Sequence, residues 1–387
     1  FNQLKLRLGY GAVGNAAVGP YSTAGGLVRL PYVFGGTPAS GYVTGDPKGT
    51  DRGSIPNMNL GWERTNQLNL GLDFGVLNNR ISGSLDYYIA NTEDILLSKS
   101  PNSVTGYGSI TINAGKTKNT GIELVLNTIN IQTPDFQWTS DLTISRNDNE
   151  ILELVNGKED DVNNRRFIGQ PLSVYYDYKK VGIWQTEDAD EIARYNANGH
   201  DFEPGDIRVE DVNDDGIIDP ENDRQIIGSP TPVWTGGFRN TFSYKNWDLA
   251  AFFFSRWDYI VEGGAVDMQG QYVHRAVDYW TPDNPTNAYP KADYNNGGQP
   301  LYYSSMNYQD GSFIKLRYVS LGYNFPREQL EQFNISRLKV YAQALNPWLY
   351  SKADFLDPDS SFQNGGSNNS ASSITTNSFV FGLNLSF

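Results

Sequence analysis

The feature that most constrains this chain is a strict alternation of apolar and polar residues, kept up over segments much longer than a globular strand. Period two is the mark of a strand with two unlike faces. In the first segment Leu4, Leu6, Leu8 and Tyr10 share one face, and Lys5, Arg7 and Gly9 the other. The second sets Leu68, Leu70, Leu72, Phe74 and Val76 against Asn69, Gly71, Asp73 and Gly75. The same pattern runs through Ile81–Ile89, Ile122–Asn127, Phe136–Ile144, Trp234–Tyr244, Trp247–Phe253, Leu338–Gln343 and Phe379–Phe387. The segment Phe313–Phe325 changes phase near Tyr318–Val319, which predicts a β-bulge. These ten strands of about 9–13 residues match the ~9–11 that a tilted strand needs to cross a bilayer; globular strands are nearer ~5–6.

The connections alternate too. Short turns are predicted at Leu77–Arg80, Thr128–Asp135, Lys245–Asn246 and Pro326–Ser336. Long loops are predicted at Gly14–Gly61, Asn91–Asn119, Asn147–Pro232, Tyr259–Ser312 and Asn346–Ser373. Outer-membrane barrels have short periplasmic turns and long extracellular loops, and a soluble sandwich has no reason to sort its loops in this way. Aromatics crowd the strand ends (Tyr10, Trp62, Tyr87, Trp138, Tyr244, Trp247, Trp257, Tyr323, Phe325, Trp348), as an interfacial girdle would, although aromatics favour β-sheet in any case. The expected fold is all-β: an antiparallel transmembrane β-barrel segment of about ten strands, part of a larger barrel.

Composition removes several alternatives. A net charge of −14 argues against nucleic acid as a partner. Mean hydropathy is −0.49, and no apolar run reaches the roughly 18 residues of a transmembrane helix. With no cysteine there are no disulfides, thiolate metal sites or cysteine nucleophiles, and two histidines, His200 and His274, leave little for histidine chemistry. The sequence opens at Phe1 directly into a strand, with no basic and apolar leader, so an exported chain of this kind is expected to be a fragment or a processed form.

Several stretches resemble the C-terminal barrel half of SusC/RagA-type TonB-dependent transporters of Bacteroidetes. They are Leu4–Asn15 (LKLRLGYGAVGN), Trp62–Tyr88 (WERTNQLNLGLDFGVLNNRISGSLDYY), Gly205–Phe253, Ser320–Pro326 (SLGYNFP) and the terminal aromatic strand. The resemblance covers essentially residues 1–387 and implies a barrel of about 22 strands closed by an N-terminal plug. It implies import of oligosaccharides or peptides across the outer membrane, a SusD-like lipoprotein lid, and energy delivered by TonB through the plug. The plug, the TonB box and the first half of the barrel are missing from this stretch, so the rest of the barrel and outer-membrane lipid are expected partners. The last strand, ending at Phe387, resembles the signal read by the outer-membrane assembly machinery.

Few residues offer chemistry. Asp211, Asn213, Asp215, Ile217 (through its carbonyl) and Asp219, with Gly216 for the sharp turn, follow the front of an EF-hand-like loop, and Asp223 stands one place beyond the usual closing carboxylate. Calcium, or less readily magnesium, is the ion such hard oxygens would take; an Asx-rich turn held by its own side chains is the alternative. The pairs Glu159-Asp160-Asp161, Glu187-Asp188 and Asp190-Glu191 read as solvated loop surface rather than as a hydrolase site, with a short helix over Glu187–Tyr195. His274, with Asp278, lacks a second nitrogen ligand for a metal. The glycines of Gly9–Gly14 lack the Lys-Ser/Thr and helix of a phosphate loop.

Trp184, Tyr175, Tyr176, Trp280, Tyr302 and Tyr303 are the loop aromatics that could stack on a sugar ring; packing the loops together is the other role open to each. No enzyme is expected. Two other readings compete with the importer. One is a soluble, calcium-dependent glycan-binding surface protein. The other is a membrane-embedded hydrolase, for which no acid–base pair is found.

Overall fold

The computed structural model describes residues 2–16, 23, 28–34, 37–43, 54–55, 57–102, 109–263, 276–292, 300–353, 357–359 and 376–387. Ten long strands make one antiparallel sheet: β1 (Gln3–Asn15), β2 (Glu63–Val76), β3 (Ile81–Glu93), β4 (Lys116–Gln132), β5 (Phe136–Glu153), β6 (Trp234–Tyr244), β7 (Trp247–Trp257), β8 (Phe313–Asn324), β9 (Arg337–Ser351) and β10 (Ser378–Ser386). They neighbour one another in sequence order, a pure up-and-down meander. Two compact units divide the chain, residues 1–126 with 145–172 and residues 127–144 with 173–387.

In the first unit the register matches like with like. Leu6 faces Leu72, Leu8 faces Leu70 and Tyr10 faces Leu68; on the next strand Leu70 faces Tyr87 and Leu72 faces Leu85. The result is a continuous apolar band that nothing among the described residues covers: Leu70 is 41% exposed and Tyr87 42%, although both lie on strands paired on either side. The other face is polar. Arg7 reaches across to Asp73 (2.8 Å) and Asp86 (2.9 Å). The guanidinium lies over Gly71, where a Cβ would sit 2.5 Å from its Cζ, so the ion triad and the glycine require each other.

The second unit repeats the arrangement. Phe238 faces Phe253, Phe242 faces Leu249 and Tyr244 faces Trp247, and Trp247 and Leu249 continue to Tyr323 and Leu321. The polar face carries Arg239–Asp141 (2.7 Å) and Lys339–Asp248 (2.8 Å). The predicted phase change is real. Phe252 pairs with Tyr318 and Phe253 with Leu316, leaving Arg317 without a partner position in the ladder. The same residue is skipped on the β9 side. The bulge lies at Arg317, just before the expected place, and without it the apolar row would pass from Leu316 to Tyr318 instead of to Val319 and Leu321.

Short connections occupy 77–80, 133–135, 245–246 and 325–336; long ones occupy 16–62, 94–115, 154–233, 258–312 and 352–377. The sorting is as expected, but two elements are longer than predicted. β4 extends from Lys116 to Gln132 and β5 to Glu153. Their outer ends, such as Lys116-Thr-Lys-Asn119 and Arg146-Asn-Asp-Asn149, are polar on both faces, so no alternation marks them although the ladder continues.

Candidate functional site

The connection 154–233 builds a small body of its own. Tyr175–Tyr178 pairs with Arg224–Gly228, and Lys180–Ile183 pairs with Ile207–Val209. A short 3-10 turn leads into α1 (Ala189–Ala197), where a helix was expected over Glu187–Tyr195. Ile192 and Tyr195, three apart on one face of α1, are buried against Ile183, Trp184, Phe202 and Ile207.

The acidic loop is tied to this core. Asp211 accepts the N–H of Gly216 (2.8 Å) and the Tyr195 hydroxyl (3.1 Å). Burial, with the Asp211 charge beside it, pushes the Tyr195 phenol up to about 12. Asp215 accepts from the Ile217 N–H and the Asn213 amide, both at 2.8 Å. Asp219 accepts the N–H groups of Asn222 (2.7 Å) and Glu221 (2.9 Å), which hold its carboxyl below the usual range. Asp223 is fully buried and accepts from Val212 and Asp219, both at 2.8 Å, closing the loop on itself. Asp214 and Gly216 take positive φ at the turn. Among the described residues no group of three or more His, Cys, Asp or Glu converges in an arrangement that could hold a metal. His200 is engaged otherwise: its Nε2 accepts from Ile218 N–H at 2.9 Å and its ring stacks on Phe202. His274 lies outside the described residues.

The aromatic candidates divide in two. Trp184 and Trp280 are buried, 2% and 7% exposed. They take the packing role left open for each: Trp280 donates to Gln185 (2.9 Å), Arg208 covers the Trp184 ring at 4.3 Å, and both rings lie in the core of the loop body. The reason is the apolar surface each ring hides, which a loop body this small needs for its own core. Tyr175, Tyr176, Tyr302 and Tyr303 are half-buried. Tyr175 packs on Tyr308 and Tyr302 edges onto Tyr178, while Tyr302 and Tyr303 also pack on the core. Phe387 follows β10 and is exposed.

Two features escape a sequence reading. One is a cavity of about 390 Å³ lined by Tyr178, Lys179, Lys180, Tyr289, Met306 and Tyr308. The other is an ion cluster on the polar face at the long-loop end of β8. Lys315, 2% exposed, bonds Asp357 and lies 3.3 Å from Asp359. Asp359 also meets Arg317 at 2.6 Å and Arg256 at 3.7 Å. The basic residues Lys315 and Arg317 are visible in the sequence, but the carboxylates come from a connection more than forty residues away.

Residues 1–213 match the family model described as TonB dependent receptor-like, beta-barrel. The chain belongs to that family. As a TonB-dependent receptor barrel it lies in the outer membrane, which accounts for the uncovered apolar band. It is 33% identical over its whole length to TonB-dependent receptor P26 of Formosa agariphila, of which it covers 40%. It is 29% identical to TonB-dependent receptor SusC of Bacteroides thetaiotaomicron over 92% of this chain and 35% of that one. The fold superposes on the RagAB peptide importer in its open-open state with a TM-score of 0.78 and 25% identity, covering 99% of this chain and 40% of the other. The chain thus spans about 40% of the length of these relatives, which are named as receptors and an importer.

Proposed function

We propose that this chain is part of an outer-membrane, TonB-dependent importer of oligomeric nutrients, oligosaccharide or peptide, working with a SusD-like lipoprotein lid and with the plug and remaining strands of its barrel. The observation that carries the reading is the two-faced sheet: an apolar band open to lipid on one side, and ion-paired polar residues such as Arg7, Asp73 and Asp86 on the other. The kinship to SusC and to the RagAB peptide importer supports it and leaves the cargo between glycan and peptide. Within this reading Phe387 keeps its role as an assembly signal. Deleting the gene in its own bacterium should abolish growth on one polymer class, and a strain lacking TonB should show the same loss. Growth unchanged in the deletion on every oligosaccharide and peptide source would refute import. The alternative, a soluble calcium-dependent glycan-binding protein, predicts solubility without detergent, which the open apolar band opposes.

A calcium ion in the loop Asp211–Asp223 is a separate proposal. Asp211 Oδ2 is filled by the Gly216 N–H and the Tyr195 hydroxyl, but Asp211 Oδ1 and the two Asp215 oxygens each accept a single hydrogen bond and keep a lone pair for a cation. The full-length receptor is expected to melt at a higher temperature with calcium than with chelator, and Asp215→Ala should remove the difference. Equal melting of the unsubstituted receptor in the two conditions would rule the ion out.

A further inference from the structure

We infer that the cavity beside Lys180 binds the carboxylate of a short cargo molecule, either a peptide C-terminus or the acid group of a sugar. The inference rests on the importer reading and names the cargo chemistry that this loop body would favour.

Lys180 begins one of the two small hairpins of the loop body and is half-buried. Its Nζ donates to the carbonyls of Asn287 (2.8 Å) and Ala288 (2.7 Å). Those bonds fix the ammonium at the cavity wall and use two of its three N–H donors. Among the described residues no carboxylate lies within ion-pair distance of it, whereas its neighbour Lys179 is paired with Glu210 at 2.9 Å. The cavity lining therefore carries two ammonium groups and no acid. Burial lowers the pKa of Lys180, with no carboxylate opposing the shift.

A partly desolvated cation with one spare donor is incomplete, and a carboxylate supplies both the counter-charge and the acceptor. The rest of the wall suits what such a group is attached to. The rings of Tyr178, Tyr289 and Tyr308 and the thioether of Met306 offer apolar and stacking surface. A volume of about 390 Å³ is within the range of small-ligand sites and holds the end of an oligomer rather than its whole length. The net charge of −14 on this stretch gives anions no general attraction, so an acid preference that vanishes with Lys180 marks contact at this wall.

The test is calorimetry on the full-length receptor in detergent. Two matched pairs of probes distinguish the sources: trialanine against its C-terminal amide, and trigalacturonate against its methyl ester. One acid should bind at least tenfold more tightly than its neutral partner, and the pair that shows it names the cargo class. Lys180→Met should erase the preference and Lys180→Arg should keep it. If Lys180→Met melts early, Lys180→Gln, which can still donate to both carbonyls, is read instead and should also lose the preference. Both acids binding no better than their neutral forms, or a preference that survives loss of the charge, would overturn the inference. TonB-dependent growth is a separate readout: intact growth with no acid preference refutes the cavity alone.

Discussion

A receptor carrying Leu70→Arg should be strongly impaired in folding into lipid, while Asn69→Arg, one residue away, should be nearly neutral. Leu70 sits midway along β2, with Leu8 on one side and Tyr87 on the other. Its side chain projects into the apolar band, where an arginine at the bilayer midplane costs about 2–4 kcal/mol. That is between one and three powers of ten in the folding equilibrium. Asn69 points to the polar face, opposite Gly9 and Tyr88, and an arginine there stays in water. The check is the denaturant midpoint of receptor folded into vesicles, together with its faster migration on a gel before heating. Equal losses in the two variants would contradict the assignment of faces.

The second large effect is expected at Lys315. The ammonium is almost wholly buried and faces Asp357 and Asp359, themselves 8% and 6% exposed. The connection from β9 to β10 is tied to the polar face there, with Tyr259 adding a bond from its hydroxyl to the Pro358 carbonyl. Burial of that phenol raises its pKa, so the bond persists well into alkaline solution. Lys315→Met removes one charge and leaves the two buried carboxylates with less counter-charge, although Arg317 and, farther off, Arg256 still meet Asp359. Breaking a buried pair in this way costs about 3–5 kcal/mol, mostly the penalty on the partner left behind. The variant should unfold earlier, and the chain at residues 357–359 should become open to protease. Adding Asp357→Leu should restore much of the loss, because an apolar pair replaces a buried carboxylate that has lost its lysine. No recovery in the double variant would mean that Lys315 acts by packing alone, for instance beside Phe313.

The sheet was legible in the sequence because lipid on one side and water on the other impose period two on every strand. Leu4 to Tyr10 and Phe379 to Leu385 announce their faces without reference to any partner. Even the bulge at Arg317 showed itself, since a skipped residue shifts the phase. What could not be read is where the ladder goes once it leaves the membrane. Lys116–Asn119 and Arg146–Asn149 are strand with polar residues on both faces, so the alternation ends before the strand does.

The loops are harder for a related reason. Trp184 and Trp280 are far apart in sequence and meet in one small core, so nothing local distinguishes a ring that packs from a ring that binds. Lys180 looks like half of an ordinary basic pair with Lys179; only the fold gives one of them Glu210 and the other two backbone carbonyls. The acidic loop was visible as a motif, but its closure by Asp223 onto Val212 and Asp219 depends on backbone geometry that residue types do not specify.

These 387 residues contain no cysteine, so each introduced one is the single thiol of this stretch and is compared with the unsubstituted receptor. The most direct test places cysteines at positions 67, 68, 69, 70 and 72 of the receptor in intact outer membrane, leaving Gly71 in place, and reacts them with a water-soluble maleimide. Positions 68, 70 and 72 should stay unlabelled and positions 67 and 69 should react, a period-two pattern set by lipid on one face. Labelling at 68, 70 and 72 equal to that at 67 and 69 would mean that the apolar band is not in lipid, and the account of this chain as a membrane-barrel wall would fail.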